Sequence, residues 1–142
     1  RSNFELPGMK ILQFAFDGNE DNPYLPKNIE GENWVVYTGT HDNSTSVSWW
    51  NCLENNSKKR IKDEYKFSEN PSWSLIKIGM ETNANLFIAP IQDILSLDDS
   101  SRLNTPGTTT NNWKWKINLP LEEIEEDIRR FSELGNNFGR TR

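Results

Sequence analysis

The chain has 142 residues, 34% hydrophobic and 26% charged, with 16 basic against 21 acidic side chains for a net charge of −5. A domain of this length buries about two-thirds of the surface its unfolded chain exposes, and six Trp, seven Phe and three Tyr are too many for a disordered chain. The acidic balance excludes the basic face that nucleic acid or an anionic membrane requires, lone Cys52 excludes an internal disulfide and a cysteine zinc cluster, and no apolar run approaches the roughly 20 residues of a membrane span.

A single cysteine fits a reducing compartment. The opening Arg-Ser-Asn-Phe-Glu lacks the apolar core of a signal peptide. A soluble intracellular protein is the expectation.

In chain order, Met9–Phe16 is the first apolar run and reads as a buried strand, followed by a second at Trp34–Thr38. Directly after the second stands Thr38-Gly39-Thr40-His41-Asp42-Asn43-Ser44-Thr45, which puts the chain's one histidine and a carboxylate where a strand gives way to a loop. In (β/α)₈ barrels that is where catalytic groups project, because those loops vary while the barrel beneath stays packed. Helix signals follow. Thr45–Glu54 has Val47, Trp50 and Leu53 at three-residue spacing behind an Asn43/Ser44 start, Lys58–Phe67 is a charged surface helix, and Trp73–Asn83 places Trp73, Ile76 and Met80 on one stripe. Leu86–Pro90 is the third apolar run.

These runs do not alternate polar and apolar, the mark of strands covered on both faces of a parallel sheet. Strands alternating with helices imply βαβ units. Leu103–Lys116, rich in Asn, Thr, Gly and Pro with Trp113 and Trp115 two apart, reads as a long ordered loop. Pro120 then opens a last helix with Leu121, Ile124, Ile128, Phe131 and Leu134 at helical spacing, and Gly135 is the expected left-handed terminator. Three parallel strands with helices outside leave an open sheet with two unpaired edges, which proteins normally cover or close. The chain therefore reads as a piece of something larger.

Several blocks in order resemble one family. They are Leu6-Pro7-Gly8-Met9-Lys10-Ile11-Leu12-Gln13-Phe14-Ala15-Phe16, Asn22-Pro23-Tyr24-Leu25-Pro26, the His41-Asp42 segment with Trp49-Trp50, Ile88-Ala89-Pro90-Ile91-Gln92-Asp93-Ile94-Leu95, Arg102-Leu103-Asn104-Thr105-Pro106-Gly107-Thr108, Asn112-Trp113-Lys114-Trp115 and Phe138-Gly139-Arg140. Together they are similar to the 4-α-glucanotransferases (amylomaltase, disproportionating enzyme), over almost the whole chain.

The resemblance implies an α/β fold in which residues 1–142 are the C-terminal portion of a single (β/α)₈ TIM-type barrel of the α-amylase superfamily. They would supply about its last three strand-helix units, with no separate second domain. It also implies a retaining transglycosylase moving α-1,4-linked glucan between malto-oligosaccharides, in the cytoplasm or in a plant or algal plastid. That chemistry needs two carboxyl groups about 5–5.5 Å apart, and the family adds a third that holds the substrate ring. By this resemblance Asp42 is the third, a transition-state stabiliser holding the 2- and 3-hydroxyls of the −1 sugar, and His41 donates to the same sugar. The family's nucleophile and acid/base lie upstream, after its fourth and fifth strands, and no segment here replaces them, so the chain alone is expected to lack activity and to need the missing N-terminal barrel portion. Asn43, Asn104, Pro106, Gly107 and Phe16 are the candidate substrate contacts, Phe16 as a stacking ring near the end of the first strand. No cofactor is implied. One histidine, one cysteine and scattered carboxylates form no closed metal-ligand set.

Bland readings stand beside these. His-Asp is also an ordinary turn pair, Asn104 can brace its loop, Asp93 can cap or anchor, and tryptophans at helix and loop positions are usually packing. Two other functions remain open: a non-catalytic glucan-binding module, and a hydrolase of the α-amylase superfamily.

Overall fold

Three short strands carry the architecture: β1 (Gly8–Ile11), β2 (Trp34–Tyr37) and β3 (Leu86–Ile88), paired parallel in the order β1-β2-β3. The computed structural model describes residues 6–140, so the chain start read above for a signal peptide lies outside the described residues. Between and after the strands come α1 (Ser46–Cys52), α2 (Asn55–Tyr65), α3 (Pro71–Glu81), α4 (Ile91–Ile94) and α5 (Leu121–Asn137). No helix among the described residues is long and apolar enough to cross a membrane.

The register lines up Lys10, Val36 and Phe87 in one row, Met9, Val35 and Leu86 in another, and Ile11, Tyr37 and Ile88 in a third. Successive side chains of a strand point to opposite faces. Val36 is fully buried in the helix-side core with Leu12, Phe16, Trp50, Ile61 and Leu75, and Phe87 packs against it. On the opposite face Met9, Leu86 and Ile88 are exposed. Helices cover one face, and the other is apolar and open among the described residues. No alternation shows in the sequence because both faces are apolar.

The first strand also ends earlier than expected. After Ile11 the chain tightens into a 3₁₀ turn over Leu12–Phe14, so Phe14 and Phe16 do not share a strand face. Helix starts follow capping chemistry. Thr45 caps α1, its side chain accepting from Ser48 N, one and two residues beyond the expected Ser44 and Asn43. Asn70 caps α3 ahead of Pro71, with its side chain accepting from Trp73 N at 3.1 Å.

Gly135 does not terminate the last helix, which runs through it to Asn137. The left-handed residue is Gly139, φ +67, with Gly139 N donating to Asn136 O at 3.0 Å and Arg140 N to Gly135 O at 2.8 Å. That pair of bonds is a Schellman motif, which satisfies carbonyls a helix end otherwise leaves orphaned. Arg140 then donates side-chain N–H groups to Met80 O at 3.0 Å, Ala84 O at 2.5 Å and Thr82 O, tying the end of α5 to the α3–β3 connection. Burial pushes the Arg140 guanidinium below its ordinary pKa.

α3 lies close to the sheet because Gly79 has no side chain there: a Cβ at this position would run into the Phe87 ring. Replacing Gly by Ala inside a helix normally gains up to about 1 kcal/mol. Here the clash reverses the sign, so Gly79→Ala is expected to lower stability by about 1–3 kcal/mol in urea unfolding. Adding Phe87→Leu should return part of the loss, a coupling that independent sites do not show.

Candidate functional site

The loop that follows β2 begins with Thr38, fully buried, and rises to His41 and Asp42, both exposed. His41 Nε2 lies 3.3 Å from Asp42 Oδ1, and the same oxygen accepts from Asn104 Nδ2 at 2.6 Å. Asn104 N also donates to His41 O at 3.2 Å. The loop after β2 and the loop after α4 thus meet at one carboxylate, which brings His41, Asp42 and Asn104 together.

Four buried or half-buried side chains hold this loop. Asp93, at the start of α4, accepts from Thr38 Oγ1 at 2.5 Å, Ser46 N at 2.8 Å and Ser46 Oγ at 2.7 Å. It therefore fastens the loop at both ends. Gln13 Nε2 donates to Ser44 O at 2.9 Å and passes 2.6 Å from where a Cβ on Gly39 would stand, which explains the glycine. Arg102 donates from Nη2 to Asp42 O at 2.7 Å and from Nε to Asn104 O at 2.9 Å. One rigid planar guanidinium thereby sets the spacing of the two residues whose side chains meet on Oδ1. Asp99 completes the anchorage by accepting from Thr45 N at 2.7 Å.

Beside the loop is a cavity of about 680 Å³ lined by the open sheet face (Met9, Ile11, Tyr37, Ile88), by Phe14 and by Gly39–Thr45 with Arg102 and Leu103. It carries two carboxylates. Asp93 is 1% exposed and engaged by three donors, whereas Asp42 is exposed and able to meet a ligand.

The other candidates divide. Asn43 lines the cavity, but its Oδ1 accepts from Thr40 N and Thr40 Oγ1, both at 2.8 Å, which locks the turn carrying Asp42. Pro106 and Gly107 form the exposed tip of a turn closed by Thr108 N donating to Thr105 O at 3.2 Å, away from the cavity lining. Phe16 is a correction. It is 6% exposed and packed against Trp49, Tyr65 and Phe67 in the helix-side core, because the 3₁₀ turn rotates it away from the cavity. Phe14, 47% exposed, lines the cavity instead and meets Tyr24 edge-to-face with ring centroids 5.6 Å apart.

Sequence reasoning weighed Phe14 but chose Phe16, weighed Trp113 as a sugar platform but favoured packing, and missed Gln13 and Arg102. The Arg-Leu-Asn order of residues 102–104 was the available signal for Arg102. Trp113, 62% exposed, leans over His41 with ring centroids 5.0 Å apart.

The sequence profile of the 4-alpha-glucanotransferase family matches residues 1–121. The chloroplastic/amyloplastic 4-alpha-glucanotransferase DPE1 of Arabidopsis thaliana is 40% identical over 144 residues, covering 99% of this chain and 25% of the relative. The 4-alpha-glucanotransferase of Thermus thermophilus is 40% identical over 142 residues, covering 94% of this chain and 28% of the relative. An amylomaltase from Streptococcus agalactiae, solved in complex with acarbose, superposes with a TM-score of 0.90 at 27% identity, covering 99% of this chain and 29% of that one. The chain therefore spans about a quarter of the length of the curated relatives it matches.

Burial raises the Asp93 pKa above the ordinary carboxylate value, with the Thr38 and Ser46 donors opposing. A raised pKa means the folded chain holds this proton more tightly than the unfolded one. The group's contribution to stability is thus fully present below the unfolded pKa and lost as pH rises through the folded one. Asp93→Asn should cost about 1–3 kcal/mol, since an amide cannot satisfy three donors. In urea unfolding followed against pH, the difference between wild type and this variant should carry that titration step.

Proposed function

The chain belongs to the 4-alpha-glucanotransferase family, and from that premise we propose that it forms the C-terminal part of a retaining glucanotransferase barrel. In this reading it contributes the carboxylate that steadies the reacting sugar while the nucleophile and acid/base come from outside these 142 residues. Residues 1–142 supply about the last three strand-helix units of one (β/α)₈ barrel, with no second domain. What supports this is the sheet: strands added sequentially and parallel, helices on one face, and an apolar opposite face suited to the interior of a closed barrel. The whole enzyme would work in the cytoplasm, or in a plastid if its source is a plant or alga. The plant relative named above is described as chloroplastic/amyloplastic.

The reaction proceeds by two displacements. An upstream carboxylate attacks C1 of the donor's −1 glucose while an upstream acid protonates the departing O4, leaving a glycosyl ester. The 4-hydroxyl of an acceptor glucan then gives its proton to that same group and attacks C1 from the other side, remaking an α-1,4 bond. In each step the ring flattens toward an oxocarbenium ion. Asp42 holds the ring's 2- and 3-hydroxyls, and His41 donates to the same sugar. Both described contacts on Asp42 fall on Oδ1, which leaves Oδ2 to sugar hydroxyls. Asn104 fixes the carboxylate's rotamer and Arg102 fixes its backbone. Such preorganisation does its work in the transition state because nothing has to move when charge develops.

The observation that carries the reading is the Asp42–Asn104 contact at the mouth of the cavity, in a chain of this family. A solved relative holding acarbose is consistent with malto-oligosaccharides as substrate.

In the complete enzyme, Asp42→Asn should lower turnover of malto-oligosaccharides by about 10³-fold or more while leaving the thermal melt nearly unchanged. Product profiles decide the reaction type. Redistribution of chain lengths without net gain of reducing ends means transfer, whereas one new reducing end for each bond cut means hydrolysis and overturns the reading.

A further inference from the structure

Trp113 exposes 62% of its surface on a loop whose backbone is held in an unfavourable shape to keep it there. Asn111 and Trp113 both take positive φ, +62 and +60, a region disfavoured for residues with a Cβ. The loop is tied across its base to enforce this. Trp113 N donates to Leu103 O at 2.6 Å, Asn112 Oδ1 accepts from Thr105 N at 2.9 Å, and Asn112 Nδ2 donates to Thr108 O at 3.1 Å. The indole consequently leans over the His41 imidazole, 42° from parallel, with most of its surface left to solvent.

Exposed apolar area is opposed by the hydrophobic effect, so the ring is poised for a partner from outside the described residues. The surroundings indicate what would cover it. Nearby stand Asn104, Thr105, Thr108 and Asn112, uncharged amides and hydroxyls, and one ring away is the Asp42 carboxylate. An apolar plate on a loop rich in neutral amides and hydroxyls suits a pyranose, which offers a C–H face bordered by hydroxyls. Trp113 is absent from the cavity lining, so its place is on the rim outside it.

We propose that Trp113 is a stacking subsite for a second glucose ring of the bound glucan, adjacent to the sugar gripped by Asp42. This rests on the glucan-transfer reading above and deepens it by placing a neighbouring ring of the chain.

The test is steady-state kinetics on malto-oligosaccharides with the complete enzyme carrying Trp113→Ala, →Leu, →Phe and →Tyr. Burying part of an indole against one sugar corresponds to about a tenfold change in affinity. Ala should therefore raise KM about tenfold with kcat within about threefold of wild type. Leu keeps bulk and apolarity without a flat face and should behave as Ala does. Phe and Tyr should recover most of the affinity.

An unchanged KM in the Ala variant overturns the proposal. So does a loss confined to kcat, which would mark Trp113 as a mere support for His41, and so does a Leu variant that matches wild type. Should Ala prevent folding, the Leu and Phe pair decides in the same way. A wild-type enzyme inert toward malto-oligosaccharides overturns this proposal together with the reading beneath it, whereas an active wild type with indifferent Trp113 variants overturns this one alone.

Discussion

One buried carboxylate organises the functional end of this chain. Asp93 is 1% exposed and draws together Thr38 at the end of β2, Ser46 at the start of α1 and its own helix α4. Burying a charge without partners is costly, whereas one that receives three hydrogen bonds fixes its partners in place. Everything between Thr38 and Ser46, including His41 and Asp42, is a short span fastened at both ends. The His41 and Asp42 side chains can stand in solvent because their backbone does not depend on their own packing. Gln13 and Arg102 brace the middle of the span from opposite sides, one from the turn after β1 and the other from the loop after α4.

The sheet poses a second constraint. Its helix side is closed by a core around Val36, and the Trp49, Trp50, Phe16 and Phe67 rings interlock there at centroid distances of 5.2 to 6.5 Å. Its other side sets Met9, Leu86 and Ile88 toward the cavity. The same apolar face therefore floors the space in which Asp42 stands, so closure of the sheet and completion of the site are one event in the barrel reading.

Legibility in the sequence followed distance along the chain. The strands, most helices and the position of His41-Asp42 at a strand end were readable because each depends on neighbours within a few residues. For Asp93, capping and anchoring were both readable, but its partners were not, since they lie 47 and 55 residues away. Phe16 was misplaced because Met9–Phe16 reads as one strand, whereas the chain winds into a 3₁₀ turn after Ile11, which puts Phe16 in the core and Phe14 beside the cavity. Gly135 and Gly139 both fit a helix terminator, and the choice between them fell to Arg140, whose side chain finds the α3–β3 carbonyls only with the longer helix. Trp113 looked like packing because a left-handed backbone at a tryptophan leaves no mark in composition.

Past Asn104 the loop is closed on itself by hydrogen bonds of Thr105 and Thr108. Between them, Pro106 and Gly107 crown an exposed turn, and a side chain added at Gly107 would meet no atom within 4 Å. The molecule thus separates a firm anchorage from a free tip, and that tip can be recut in length and character without disturbing the hydrogen bonds that hold Asp42.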